Sequence, residues 1–144
     1  MELSASVTAE AAPMVTPAVT AHLPEDLVVT GAAEPAAWLA RLAERSTVCT
    51  VRDPDALVGF LTLGAGSETE LMLGYLFAEH AWGRGYASEL VAGLLAHLRA
   101  KDWRGKVTGG VVAKNPASAK VLLKSGFERA ETDPNGVTFY RIAL

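Results

Sequence analysis

The chain has 144 residues, half of them apolar and a fifth charged, which fits one folded domain and excludes a charge-rich disordered chain. Its net charge of −3 provides no field for a nucleic-acid backbone, and the longest apolar stretch, Leu90 to Ala96, falls far short of the roughly 20 residues of a membrane span. The lone Cys49 has no internal disulfide partner and no Cys or His cluster with which to hold zinc, so a soluble, cytoplasmic protein without a metal is expected.

Leu3 to Val7 reads as a short strand, and Thr8 before Ala9, Glu10 and Ala11 as a capped helix start that Pro13 and Pro17 interrupt. From Glu34, with Pro35 at the first helical position, the run to Glu44 places Trp38, Leu39 and Leu42 on one helical face. Three β-rich runs follow, Thr47 to Arg52, Ala56 to Leu63 and Glu70 to Phe77. A turn at Asp53 to Asp55 and a glycine-rich one at Gly64 to Ser67 separate them, which predicts an antiparallel meander. Cys49, in the first of these runs, is expected in the core.

After a loop from Ala78 to Arg84, Ala87, Leu90, Val91, Leu94, Leu95 and Leu98 recur at helical spacing and predict an amphipathic helix of about four turns. Lys106 to Ala113 is strand-like; Asn115 then caps a helix with Pro116 at its first position, Val121 and Leu122 facing the core, and Gly126 as its stop. Two closing strands, Phe127 to Glu131 and Val137 to Ile142, flank Asp133 to Gly136, where the Asn-Gly pair can take up the positive φ angles of a hairpin turn.

Chemistry concentrates where the strand ending at Phe77 passes through Trp82, Gly83, Arg84, Gly85, Tyr86, Ala87 and Ser88 into a helix. A helix start presents amides without intrahelical partners and the positive end of the dipole, so it suits a phosphate; small residues at 83, 85 and 87 admit one closely, and Arg84 adds charge. Glycines there also serve plain tight turns, so the motif alone leaves both readings open. Ser88 stands where a dinucleotide fingerprint needs a third glycine, and the Gly-Lys-Ser/Thr triplet of a nucleotide triphosphate loop does not occur.

The run WGRGYAS resembles motif A of the GNAT N-acetyltransferases, a Gln or Arg, two residues, Gly, one residue, then Gly or Ala. Gly85 and Ala87 fit, and Trp82 replaces the Gln or Arg. The Trp-Gly-Arg-Gly-Tyr-Ala form resembles the ribosomal-protein alanine N-acetyltransferase branch, RimJ and RimL among them. NPASAKVLLKSGF, with Asn115, Ser118, Val121, Leu122, Lys124, Gly126 and Phe127, resembles that branch's motif B at the same spacing. Upstream, HLP and AAWLARL resemble its acceptor-side region.

The resemblance implies one α/β domain over residues 1–144, with a mixed sheet of about six or seven strands, mostly antiparallel. About four helices flank it, and a splayed parallel pair, Glu70 to Phe77 and Lys106 to Ala113, admits a pantetheine arm. It implies acetyl-CoA as cosubstrate, with backbone groups around Leu76, Phe77 and Ala78 holding the arm and supplying the oxyanion donor. The amides of Gly83, Arg84, Gly85, Tyr86, Ala87 and Ser88 hold the pyrophosphate. Asn115 touches the cofactor or only caps its helix; Ser118 hydrogen-bonds the leaving sulfur or is structural; Lys120 and Lys124 reach the ADP phosphates or are merely solvated.

Many members carry a catalytic tyrosine seven residues after the asparagine, where this chain has Leu122, and a glutamate where it has Met72. Glu70, two residues earlier on the same strand face, is the candidate base, with Glu79 and His80 as solvated alternatives and Tyr75 as a packing residue. The acceptor expected is a primary amine on a small molecule or a peptide, cationic if the segment ahead of Arg41, which holds no Lys or Arg, lines its entrance. Transfer would run through a ternary complex in a monomer or homodimer. A cofactor-binding module that has lost its chemistry is the alternative, and an unrelated structural α/β protein a third.

Overall fold

A computed structural model describes residues 9–23, 27–30 and 34–144; the expected strand at Leu3 to Val7 and the cap at Thr8 lie outside them. The chain divides into two compact units, Met1–Gly64 with Tyr75–Trp82, and Ala65–Gly74 with Gly83–Leu144. Six strands form a mixed sheet in the order β1-β2-β3-β4-β6-β5, and four α-helices accompany them among the described residues. No described helix is long and apolar enough to cross a membrane.

In the first unit Pro17 does not break a helix but opens one. It sits in the first turn of α1 (Pro17–Thr20), where its missing N–H costs nothing, and the Thr16 side chain accepts from Val19 N at 3.3 Å. Thr20, fully buried, donates to Thr16 O at 2.7 Å and accepts from Val29 N at 2.8 Å, so its hydroxyl is satisfied in both directions. Helix α2 (Pro35–Arg45) begins as expected, with the Glu34 carboxylate accepting from Ala37 N at 3.3 Å, and buries Trp38, Leu39 and Leu42. The Trp38 indole N–H reaches Leu27 O at 2.9 Å. These residues share one apolar core with Met14, Val48, Leu57, Phe60 and Leu76.

Strand β1 (Thr47–Asp53) pairs antiparallel with β2 (Ala56–Ser67), with a register shift at Val51/Arg52. β1, the outermost strand among the described residues, is mostly exposed, and Cys49 is half-buried on it rather than enclosed in the core. β2 is longer than expected: Gly64 to Ser67 continue the strand, and the turn is Glu68–Thr69. Gly66 lies close to the Glu70 side chain, where a Cβ would fall 2.7 Å from Oε1, a contact the carboxylate can move to relieve.

The second unit contains the parallel pair. Strand β3 (Glu70–Phe77) pairs with β4 (Lys106–Val112) from Glu70↔Lys106 to Leu73↔Gly109, and β3 runs on to Phe77. Over its whole length β4 pairs antiparallel with β6 (Val137–Ala143), which also carries β5 (Glu128–Thr132). Helix α3 (Tyr86–Ala100) buries Val91, Leu94 and Leu95, as its periodicity predicts, and α4 (Pro116–Lys124) buries Leu122.

The β5–β6 turn departs from expectation: Gly136 has φ 84°, but Asn135 is not in the positive-φ region. Asp133 organises the turn instead, its Oδ1 accepting from Asn135 N at 2.9 Å and Val137 N at 3.0 Å.

Candidate active site

Three segments carry the expected site residues. In the first unit, the end of β3 holds Leu76, Phe77 and Ala78, all less than a tenth exposed. Ala78 N donates to Val58 O of β2 at 2.9 Å. A trans peptide points its carbonyl opposite to its N–H, so Phe77 O faces away from β2, where the Trp82 indole N–H donates to it at 2.9 Å. In an extended residue the N–H follows its own carbonyl, so the Phe77 amide also faces away from β2 while that of Leu76 faces it. The expectation that any amide from 76 to 78 can serve the thioester therefore narrows: Ala78 N–H is committed to Val58.

Gly59 completes this arrangement. A Cβ there would collide with the Leu76 carbonyl oxygen and lie 2.6 Å from Phe77 Cδ1. Neither this glycine nor the Trp82 bond was foreseen; the one available signal was a glycine interrupting the apolar run Leu57 to Leu63. The Tyr75 ring packs tilted against Phe77, centroids 6.0 Å apart, in keeping with a packing role.

In the second unit, Gly83 (φ 72°) and Gly85 (φ 81°) both lie in the left-handed region that favours glycine. A Cβ on either would meet nothing within 4 Å, so the space above the loop is open. Gly85 is the N-cap of α3 and no side chain caps that end, although Glu89 N closes the first helical bond to Gly85 O at 3.1 Å. Arg84 is exposed, while Tyr86, Ala87 and Ser88 are half-buried at the start of the helix. Two positive-φ glycines and an uncapped helix start leave room for an anion, which is the fit a pyrophosphate requires, and Arg84 is exposed between them.

The start of α4 is built differently. Asn115 Oδ1 accepts from Ser118 N at 3.3 Å and its Nδ2 donates to Ser118 Oγ at 2.9 Å. The backbone N–H can only donate, which fixes the amide orientation. Ser118 Oγ, accepting one bond, still has its own proton to give. Asn115 is therefore a helix cap, and the two candidate residues are locked together. Lys120 and Lys124 are exposed on the same helix.

Glu70 lies in a network absent from the sequence reading. Its Oε2 accepts from Thr108 Oγ1 at 3.2 Å and sits 3.3 Å from Arg141 Nε. Arg141 Nε also donates to Thr108 Oγ1 at 3.0 Å, and its other nitrogens grip Glu131 at 3.0 and 3.3 Å. The network crosses four neighbouring strands, β3, β4, β6 and β5, through Thr108, which is 1 % exposed. The hydrogen bond from Arg141 holds the Glu131 carboxyl below its ordinary value, and the guanidinium is raised in return. Glu70 is thus an ion-paired strand residue, six positions before Leu76, or about 20 Å of extended chain. Glu79 and His80 are exposed in the short 3-10 turn after β3, and among the described residues no cluster could hold a metal ion.

A family profile described as an acetyltransferase (GNAT) domain matches residues 5–128. No curated protein matches the chain significantly in sequence. Among solved structures, an acetyltransferase of the GNAT family from Bacillus anthracis is similar with a TM-score of 0.77 at 17% identity, covering 99% of this chain and 92% of that one. A ribosomal-protein-alanine N-acetyltransferase from Brucella melitensis is similar with a TM-score of 0.72 at 18% identity over 100% and 98% of the two chains. A spermidine N-acetyltransferase mutant from Vibrio cholerae, at 0.56 and 20%, covers 65% of this chain and 62% of its own. With the profile spanning most of its length and the mixed sheet holding a single parallel pair, the chain belongs to the GNAT family of acetyltransferases and is an N-acetyltransferase.

Proposed function

We propose that this chain, acting as one catalytic domain, transfers the acetyl group of acetyl-CoA directly to a primary amine, on a peptide N-terminus or a small cationic molecule. The observation that carries the cofactor reading is the start of α3: two positive-φ glycines, no side-chain cap, and open space above both. The pyrophosphate is assigned to the amides of Gly83 to Ser88 with Arg84 beside them, and the arm to the end of β3. The neighbours named for ribosomal-protein alanine and for spermidine support a peptide or polyamine acceptor. The absence of Lys and Arg ahead of Arg41 favours a cationic one. A cytoplasmic setting accords with the lone cysteine.

In the reaction the neutral amine nitrogen attacks the thioester carbonyl carbon, the C–S bond breaks, and sulfur leaves as thiolate. The nitrogen gives up one proton to solvent water. A backbone N–H near the end of β3, around Leu76 and Phe77, is the candidate donor to the oxygen that gains charge. Ser118, with Asn115 Nδ2 filling one lone pair, directs its hydroxyl proton to the departing sulfur and stabilises the thiolate by a hydrogen bond. An α-amine titrates near ~8, so a useful fraction is neutral without an enzyme base. The sequence-derived base, Glu70, lies too far along β3 from Leu76 to take this proton directly, and its Arg141 pair gives it a strand-joining role; Glu70→Gln separates the two. A base role lowers kcat with little change in Tm, whereas strand joining lowers Tm with kcat kept.

The test is calorimetric titration of acetyl-CoA followed by turnover with peptides bearing N-terminal alanine and with spermidine. Saturable binding and acetylation of either amine are expected, with kcat about tenfold lower in Ser118→Ala. No binding to the wild type would reject the reading. A second reading, a cofactor-binding module without turnover, is favoured by Leu122, 2 % exposed, at the place of the expected tyrosine. Binding without acetylation of a broad amine panel would select it.

A further inference from the structure

Strand β4 is held unequally by its two neighbours. It pairs with β6 from Lys106↔Ala143 to Val112↔Val137, but with β3 only from Glu70↔Lys106 to Leu73↔Gly109. Past Gly109 the strand keeps β6 and leaves β3, so a fork opens there behind a few rungs of the weaker, parallel kind. Whatever enters such a fork levers on the rungs that close it.

One face of those rungs is strapped. Paired residues point to the same side of a sheet, so Glu70, Thr108 and Arg141 share a face, opposite to the one where a Cβ on Gly109 would meet Leu122 of α4 at 3.0 Å. Arg141 Nε reaches from β6 over β4 to within 3.3 Å of Glu70 Oε2 and donates to Thr108 Oγ1 at 3.0 Å, while Thr108 donates to the same carboxylate oxygen at 3.2 Å. Glu131 accepts from the other end of the guanidinium at 3.0 and 3.3 Å and fixes its plane. Thr108 is buried beneath the strap. A three-way contact with a buried centre resists parting more than a lone surface pair does.

We infer that Arg141 and Glu70 form a clamp that sets where the fork begins: by strapping β3 to β6 across Thr108, they keep the rungs up to Leu73 closed when the pantetheine arm of an acyl-CoA enters beyond them. This rests on the acetyl-CoA reading given above. Without the clamp, the arm either frays those rungs on entering or must order rungs already frayed, so affinity falls for a ligand that carries the arm. ADP has the diphosphate and no arm, so its affinity is spared. A contact that only joined strands would lower Tm and change both ligands alike.

The test titrates acetyl-CoA and ADP calorimetrically into the full chain, for the wild type, Arg141→Met and Thr108→Val, with Tm measured beside it. Methionine keeps an unbranched stem and removes the donors; valine keeps the shape of threonine and removes the shared hydroxyl. Expected is about a fivefold loss of acetyl-CoA affinity in Arg141→Met, the scale of coupling between two sites, and a smaller loss in Thr108→Val, with ADP within about twofold in each. If Arg141→Met does not fold, Thr108→Val carries the same comparison. Equal changes for both ligands, or none for either, would overturn the clamp while leaving the cofactor site standing. Failure of the wild type to bind acetyl-CoA would overturn the underlying reading and this inference with it.

Discussion

Helices α3 and α4 lie in the same unit and solve the same problem at their ends in opposite ways. At its start α4 uses a side chain, Asn115, to fill the amide of Ser118, with proline at the first position. α3 starts on a glycine at φ 81° with no side chain over it. At their far ends the choice reverses. α4 closes with Gly126 at φ 98° and a bond from Phe127 N to Leu122 O at 3.0 Å. α3 closes with the same kind of bond, Trp103 N to Leu98 O at 3.0 Å, but places Asp102 at φ 54°. Glycine at a helix C-terminus has an ordinary structural reason. A bare glycine at an N-terminus gives up only about a few tenths of a kcal/mol against Asn, Asp, Ser or Thr, and places no side chain over the first-turn amides.

Gly85→Glu should break the contrast most strongly. A carboxylate above the first turn occupies the anion's place, and acetyl-CoA affinity should fall at least about 100-fold. Tm should move only a few degrees, because the strain of a side chain at positive φ is partly offset by a negative charge at a helix start. A proportional loss of folding would assign Gly85 a structural role instead. Asn115→Ala tests the other N-terminus and should lower stability by about 1 kcal/mol, or about 3 °C, with the pyrophosphate contacts untouched. Calorimetry and thermal melts of both variants give the two numbers needed.

Smaller effects sharpen the comparison at the other ends. Asp102→Gly relieves a non-glycine residue at positive φ and should raise Tm by about 1 to 2 °C. Its weak pair with Arg104, at 3.8 Å between exposed side chains, contributes little. Glu131→Gln sets the scale for a surface contact with neither cap nor ligand. The Glu131 carboxyl is held below its ordinary 4.5 by Arg141, so its contribution is present above that pH and is lost as pH falls through the lowered value. The gap in urea midpoint between wild type and variant should be small at pH 7 and close below pH 4.5.

Elements with strong local signals were legible in the sequence. The α3 periodicity, the Asn115-Pro116 start, the Gly126 stop and the starting residues of the three strands from Thr47 to Phe77 all stand where expected, because each rests on neighbours close by in the chain. Local signals also misled. Pro17 looked like a breaker and opens a helix, and Gly64 to Ser67 looked like a turn and extend a strand against Glu70. What stayed hidden depends on partners far along the chain. Glu70 seemed an unattached carboxylate because Arg141 stands on the last strand, near the other end of the sequence, and nothing in the string pairs them. Trp82 is close to Phe77 in the chain, yet its hydrogen bond needs the short 3-10 turn at Glu79–Ala81 to fold the indole back.

The most direct measurement is a titration of 15N-labelled protein with ADP, which carries the diphosphate and lacks the pantetheine arm, followed by backbone amide NMR. Saturable shifts centred on Gly85, Ala87 and Ser88, with the Ala117 and Ser118 amides nearly still, are expected from a bare α3 start and a capped α4 start. Equal shifts at both helix starts, or none at α3, would contradict the assignment of the α3 N-terminus as the pyrophosphate site.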